Sequence, residues 1–350
     1  MIVLRDFAEY VCHPSMPMRA VLDRLDKTPH LFQVVLDGEG RLLGTVTDGD
    51  IRRAMLKGVA LDAPATDCMH VSPRTGRVGE DAENIEKLEG IGSTRRFLPV
   101  LDGDARLVEV LVQTASEPGI AQALVMAGGY GRRLGARTRE TPKPLLPVGG
   151  RPILDRVLGA LEEAGVPKIT LSIHYLGEQI RDFVAGRENV ARISAVEEHE
   201  PLGTAGALGL IGDLGRAPLL VVNGDVLTRC DFAALHDFHV RHGLDGTIGV
   251  ARYDIDVPYG VVRHDEDGLF AGVEEKPRIS SFIAAGVYYL SPEFAALVPS
   301  GRPIDMPELL NSGREIGLRI GLFPIHEYWT DVGHPEDLEA ADARHRSEMS

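Results

Sequence analysis

Two hydrophobic patterns divide the chain. In the first third, short apolar runs are paired around acidic glycine turns. LFQVVLDGEGRLLGTVTDGDI (31–51) is followed by RRFLPVLDGDARLVEVLVQ (95–113), a weak internal repeat. Each copy predicts a β-hairpin, with the Asp-Gly pairs Asp37-Gly38 and Asp102-Gly103 supplying the positive φ of a tight turn. The first copy runs into IRRAMLKG, where Ile51, Ala54 and Met55 predict a short amphipathic helix that Gly58 stops. After residue 120 the pattern changes. ALVMA, KITLSI and PLLVV have no polar face, as strands buried on both sides require. Between the first two, ILDRVLGALEEAG places Ile153, Leu154, Val157, Leu158 and Leu161 on one helical face, with Gly165 as the stop. Strands alternating with helices predict an α/β fold, a mostly parallel sheet covered by helices. The turn-forming stretch TASEPGI (114–120) sets the expected boundary, giving domains 1–115 and 120–350.

Composition narrows the chemistry. A formal net charge of −15 argues against general nucleic-acid binding, since phosphate backbones are gripped by clustered Lys and Arg. Any phosphate site must be local. The first ten residues carry Arg5, Asp6 and Glu9 and so do not read as a signal peptide, and no run has the roughly 18 uncharged apolar residues of a membrane span. Cys12, Cys68 and Cys230 match neither a disulfide framework nor a metal-site spacing and read as reduced thiols. A cytoplasmic protein with no membrane partner is the expectation. His236, His239 and His242 fall on a helix expected to begin at Asp231, and read as a solvated or partly packed face rather than a zinc site.

The densest chemical signal is AGGYGRRLGARTRETPKPLLPVGGRPIL (127–154), directly after the first strand of the second half. Glycines at 128, 129 and 131 let the backbone approach a ligand and aim N–H groups at phosphate oxygens, and Arg133 and Lys143 add fixed positive charge. Spacing excludes two familiar phosphate loops. Gly129, Gly131 and Gly135 read GxGxxxG and not GxGxxG, and Lys143 sits between prolines instead of before Ser or Thr.

With TPKPLLPV following, this segment resembles the nucleotidyltransferases that make nucleotide sugars, whose loop reads GGxGxRL followed by PKP. The resemblance runs from about residue 122 to 342 and implies a Rossmann-like nucleotidyltransferase domain. It implies that Arg133 and Lys143 bind and polarise a triphosphate, with Asp225 of VVNGDVL completing the catalytic set. Ala127, Gly128, Gly129, Gly131, Gly203 of EPLGTAGAL and Asn223 would line the nucleotide. YGVV and EEKP would hold the sugar phosphate through Gly260, Glu275 and Lys276, joined by Gly286. Asp331 of EYWTDVGHPEDL would join Asp225 on Mg²⁺. Two departures stand out: Arg132 where the family commonly has Thr or Ser, and Ala284-Ala285-Gly286 where relatives often read Asn-Ala-Gly.

The first half, about residues 1 to 113, resembles a tandem CBS unit, an α+β module that senses adenosine nucleotides in many enzymes. Its sharpest piece, GTVTDGDIRRA, maps the regulatory nucleotide contacts to Thr47 and Asp50. LVEVLVQ in the second copy lacks both groups, so at most one site is intact, and a ligand-free pairing platform is the standing alternative. A homo-oligomer is expected.

Together these resemblances imply in-line attack by a sugar-1-phosphate on the α-phosphorus of a nucleoside triphosphate. The overall likeness is to CBS-fused glucosamine-1-phosphate guanylyltransferases and to mannose-1-phosphate guanylyltransferases, which favours GTP. UTP- or dTTP-dependent transfer, a non-sugar nucleotidyltransferase and a non-catalytic nucleotide sensor are the alternatives. YGVV and EEKP count against the second, and the retained charges Arg133, Lys143, Asp225 and Asp331 against the third. Every one of these motifs lies after residue 122, so a chain starting near Pro118 is expected to fold and keep its chemistry.

Overall fold

The computed structural model describes residues 1–91, 95–114, 119–212, 215–299 and 301–348. Residues 115–118, where the boundary was expected, lie outside the described residues. By packing, the chain forms two compact units: Met1–Gly119 with Phe232–Leu244, and Ile120–Asp231 with Asp245–Ser350. The second segment expected from the sequence is therefore interrupted. Its helix Phe232–Arg241 groups with the N-terminal unit, so a chain starting near Pro118 would strip that helix of the unit it packs with.

The N-terminal unit carries both hairpins of the repeat. Phe32–Leu36 pairs antiparallel with Leu42–Thr47, and Arg95–Leu101 with Leu107–Thr114. The two turns meet: Leu42 N–H donates to Ala105 O (3.1 Å), and Leu107 N–H donates to Gly40 O (3.1 Å). Phe32 stacks on Phe97, one ring from each copy, with centroids 4.2 Å apart, inside a core that includes Val34, Val110 and Val112. The turn chemistry differs from expectation. Positive φ falls on Gly40 (80°) and Ala105 (62°), not on the Asp-Gly pairs. Asp37 Oδ1 accepts the N–H groups of Glu39 and Arg41, and Asp102 Oδ1 those of Asp104 and Arg106. Each aspartate thus closes a longer turn with its side chain, and the left-handed residue moves to the turn's end. The helix after the first copy, Asp48–Leu56, forms as expected, with Gly58 at φ 83° beyond it.

In the second unit the apolar runs build a seven-stranded sheet. Its order is Arg192–Glu197, Lys168–Ile173, Ala123–Met126, Leu219–Asn223, Arg278–Leu290, Gly246–Asp256 and Ile320–Ile325. The first four strands are mutually parallel, Arg278–Leu290 is antiparallel to both neighbours, and Gly246–Asp256 runs parallel to Ile320–Ile325. The sheet is mostly parallel and the class α/β. Leu124, Val221 and Val222 are fully buried, as strands covered on both faces require. Helix Ile153–Glu163 buries the five predicted side chains, and Gly165 follows it at φ 75°.

All three cysteines are buried free thiols. Burial pushes the Cys12 thiol up to about 11 and the Cys68 thiol to about 12, which makes both poor nucleophiles. His236 and His239 are buried, not solvated. Among the described residues no group of three or more metal-ligating side chains occurs, and no helix is long and apolar enough to cross a membrane.

Candidate functional site

The strand Ala123–Met126 lies between Lys168–Ile173 and Leu219–Asn223, so successive strands depart to either side of it. Ligands of open α/β sheets sit at such a switch point, beyond the carboxyl ends of the strands. Two loops leave there, 127–131 after the first strand and Gly224-Asp225 after Leu219–Asn223. The sequence singled out both.

Ala127 N–H donates to Ser172 O (2.8 Å), tying the first loop to the sheet. Gly131 then turns the chain at φ 63°. A Cβ there would stand 2.8 Å from Thr138 Cγ2 and 3.0 Å from Lys143 Cβ, so any other residue would be both strained and crowded. The two halves of the motif are thereby packed together, and Thr138 Oγ1 donates to Gly131 O (3.0 Å). Gly128 faces His174 and Glu198, Gly129 is exposed, and Arg133 is exposed beside them in sequence. Arg132, the departure from the family pattern, stacks over the Tyr130 ring at 4.7 Å.

Lys143 sits in a single helical turn, Lys143–Leu145, with Pro142 before it and Pro144 inside it. Its Nζ donates to Asp225 Oδ2 (2.5 Å) and lies 3.8 Å from Asp331 Oδ1. The aspartates come together because Val226–Thr228 pairs antiparallel with Trp329–Asp331, setting Asp331 opposite Val226, and Val332 N–H donates to Asp225 O (3.2 Å). The Lys143 side chain is 11% exposed, against 30% for Asp225 and 51% for Asp331. Burial holds the Asp331 carboxyl above the usual carboxylate range, the Asp225 charge adds to this, and Lys143 and Arg133 act against it.

Two adjacent carboxylates raise each other's energy unless cations share their charge. Hard oxygen donors in that state suit a divalent cation, and two protein carboxylates leave room for water and substrate phosphates, the habit of Mg²⁺. The donor set therefore fits the metal expected from the sequence.

The other sequence-predicted residues fall into smaller groups. A Cβ at Gly286 would stand 2.8 Å from Asn223 Nδ2, which makes these two immediate neighbours. Gly260 stands beside Glu275, where a Cβ would meet Oε2 at 2.8 Å, and Lys276 follows at φ 46°, a strained backbone for a residue with a side chain. Ala284 is exposed on the long strand Arg278–Leu290. Gly203 packs on Asp305 and Ile304, its missing Cβ leaving only 2.7 Å to Asp305 Oδ1 and to Ile304 O. In the N-terminal unit, Thr47 and Asp50 are bonded to each other: Asp50 Oδ2 accepts from Thr47 N–H (2.8 Å) and Thr47 Oγ1 (2.6 Å).

Sequence reasoning missed several supports. Trp329, the only tryptophan, donates from Nε1 to Ala285 O (2.7 Å) and so fixes the strand beside Gly286. Asp305 anchors the Gly203 loop by accepting from Thr204 N–H (2.9 Å). His174 Nδ1 donates to Glu198 O (2.7 Å), leaving Nε2 to accept from Tyr130 OH (3.0 Å) in the neutral ring. Trp329 and Asp331 share one short strand, so EYWTDV carried a readable signal. The other partners are far apart in sequence and left none.

Residues 122–348 match the Nucleotidyl transferase family, and residues 4–57 match the CBS domain family. Mannose-1-phosphate guanylyltransferase catalytic subunit beta of Drosophila pseudoobscura pseudoobscura is 34% identical over 224 residues, 62% of this chain and 60% of that protein. Mannose-1-phosphate guanyltransferase of Saccharomyces cerevisiae is 35% identical over 229 residues, 62% of each chain. The chain thus spans about three-fifths of the length of these curated relatives. Among solved structures, HddC from Yersinia pseudotuberculosis complexed with GMP-PN is similar at 27% identity and a TM-score of 0.50, over 64% of this chain and 99% of that one. Because the family model spans residues 122–348, about two-thirds of its length, the chain belongs to the nucleotidyl transferase family.

Proposed function

We propose that the protein transfers a nucleoside monophosphate from GTP to a sugar-1-phosphate, with mannose-1-phosphate or glucosamine-1-phosphate as the acceptor, releasing pyrophosphate. The observation that carries this reading is Lys143 held between Asp225 and Asp331 beside the glycine loop. Both substrates are anions, so the residues must hold like charges together and neutralise the transition state by position and electrostatics. Arg133 and Lys143 cover the triphosphate. Asp225 and Asp331 would hold Mg²⁺, which when bound supplies positive charge against the phosphates. Gly260 and Glu275 recognise the sugar, Lys276 its phosphate, and Ala127, Gly128, Gly129, Gly131, Gly203 and Asn223 the nucleotide. The acceptor phosphate is already ionised at neutral pH, so no protein base or nucleophile takes part.

The names of the relatives support guanylyl transfer and mannose-1-phosphate. The exposed Ala284 offers the acceptor no side-chain hydrogen bond. Pyrophosphate release, measured for GTP, UTP, dTTP and ATP against a panel of sugar-1-phosphates, tests the assignment. GTP is expected to be fastest. A tenfold advantage for UTP or dTTP would remove the guanylyl assignment, and no release with any pair would remove the reaction.

A further inference from the structure

Two strands of the large sheet outrun their neighbours. Leu219–Asn223 pairs with Arg278–Leu290 only at 287–290, and Ile320–Ile325 pairs with Gly246–Asp256 only at 246–251. Beyond those registers the two long strands continue as a two-stranded ribbon, 252–256 against 278–282. The chain between them forms a second, shorter ribbon, Val261–His264 with Phe270–Glu274. From 252 to 284 no residue is buried. An isolated two-stranded ribbon is marginal in water and needs further strands or a packed layer over its apolar face.

Both ribbons are amphipathic. Cross-strand partners share a face, so Tyr253, Ile255 and Ile279 stand on one side of the longer ribbon, with Ile255 opposite Ile279. The other side carries the ion pairs Arg252–Asp254 (3.0 Å) and Arg278–Asp256 (2.6 Å). On the shorter ribbon Val262 lies opposite Val273, with Phe270 further along the same side, while Arg263 and Glu274 (2.5 Å) pair on the reverse. Such alternation belongs to sheets with one face in a core, yet these six apolar side chains are 50–73% exposed. Nine of the twenty exposed large apolar side chains among the described residues fall between 252 and 284, so the exposure is a patch and not the ordinary scatter of a protein surface.

Two observations point to a second copy of this chain as the cover. The first is area. At their exposures the nine side chains offer roughly 500–900 Å² per copy, taking about 150–250 Å² for a whole ring and about 60–120 Å² for a whole aliphatic side chain. A standard interface buries about 800 Å² per partner. The second is charge. Two molecules of formal net charge −15 repel each other over most of their surface. Away from the acidic tip 265–267, however, this segment carries four cations and four carboxylates, so copies can approach here without that repulsion.

We propose that two copies of the chain pair through the apolar faces of these ribbons, in a two-fold contact that sets the same surface against itself. Gly260, Glu275 and Lys276 lie on this segment, so pairing also steadies the loop assigned to the acceptor. That consequence rests on the function proposed above, whereas the pairing does not.

Analytical ultracentrifugation of the full chain tests it, because it reads mass and not turnover. Wild type is expected as a dimer or a multiple of one. Phe270→Glu and Val262→Glu should each halve the mass, with a circular-dichroism melt that shows a folded protein, since both side chains are exposed in the single chain. Affinity should fall by about a hundredfold or more, because a two-fold contact buries each introduced carboxylate twice. Val190→Glu, at a side chain 90% exposed outside the segment, should leave the mass unchanged. Should either ribbon variant fail to fold, Ile255→Glu on the longer ribbon replaces it. A monomeric wild type, or unchanged mass in the folded ribbon variants, would overturn the proposal. Unchanged mass with lost turnover would overturn it in favour of a face that closes over the protein's own substrates.

Discussion

Replacing Asp225 with asparagine removes one charge from the centre of the candidate site while keeping its shape. Lys143 Nζ loses a 2.5 Å ion pair and retains Asp331 Oδ1 at 3.8 Å. Exposed pairs contribute about 0.2–1 kcal/mol, whereas breaking a buried pair costs about 3–5 kcal/mol. With Lys143 nearly buried and Asp225 30% exposed, the loss should fall between these limits. It is partly offset, because Asp331 is relieved of a like-charged neighbour. A net cost of about 1 kcal/mol, or roughly 2–4 °C in melting temperature, follows for a chain of this size. The rate should respond far more. Loss of one well-placed charge contact at a transition state typically costs about 10²–10³ in kcat, or about 2.7–4 kcal/mol of barrier. Asp225→Asn and Lys143→Ala should both show that drop in pyrophosphate release while a circular-dichroism melt shows a folded protein. A folded variant of either kind that turns over within threefold of wild type would refute the assignment of this pair to the chemistry.

Ala284→Asn, which restores a side-chain donor and acceptor on the exposed strand, should change the ratio of kcat/KM between sugar-1-phosphates more than it changes the KM for GTP; an unchanged ratio would remove Ala284 from the acceptor site. Because nothing lies within 4 Å of where a Cβ at Gly40 would sit, Gly40→Ala isolates the backbone cost of left-handed φ and should destabilise by about 1 kcal/mol, while Ala105→Gly should gain a smaller amount, both read from denaturant melts. Arg187 bonds Asp155 and Glu162, each at 2.7 Å. Burial acts to raise the Asp155 carboxyl, but bonds from Arg187 and Arg151 outweigh it, and the Arg187 bond chiefly lowers Glu162. Both folded carboxyls titrate below their unfolded values near 3.8 and 4.5, so their stabilisation is fully present above that range and is lost as pH falls below it through the depressed folded values. The stability gap between wild type and Arg187→Met should therefore be largest at pH 6 to 7 and shrink below about pH 4.5. A gap that widened on acidification would reverse the sign of this reasoning.

The candidate site was legible because close packing there constrains the local sequence. A backbone that must pass within contact distance of Thr138 and Lys143 admits only glycine at 131, and a lysine set between prolines is hard to arrange by accident. The strands were legible too, since burial on both faces leaves an uninterrupted apolar run such as Leu219–Asn223. What stayed hidden were pairings whose partners lie far apart in the chain. Nothing near Gly203 announces Asp305, and nothing in the repeat announces that Gly40 O would accept from Leu107 N–H. The turn error has a related origin: Asp-Gly favours a two-residue turn when backbone torsion alone decides, but a side-chain carboxylate accepting two N–H groups stabilises a longer one.

The helix Phe232–Arg241 shows the same limit at the scale of whole units. It lies between the strands Val226–Thr228 and Gly246–Asp256, where strand–helix alternation predicts a crossover helix covering the sheet. Its sequence fits that role, with Phe232 and Leu235 buried, yet by packing it belongs to the N-terminal unit. Periodicity reports which face of a helix is buried but not what buries it. A linker can be read from turn-forming residues such as TASEPGI, whereas a helix that crosses from one unit to another carries no compositional mark. Arg241, at the end of the helix, falls in no transferase motif and lines a cavity of the N-terminal unit together with Arg53 and Arg74, a placement that periodicity alone does not report.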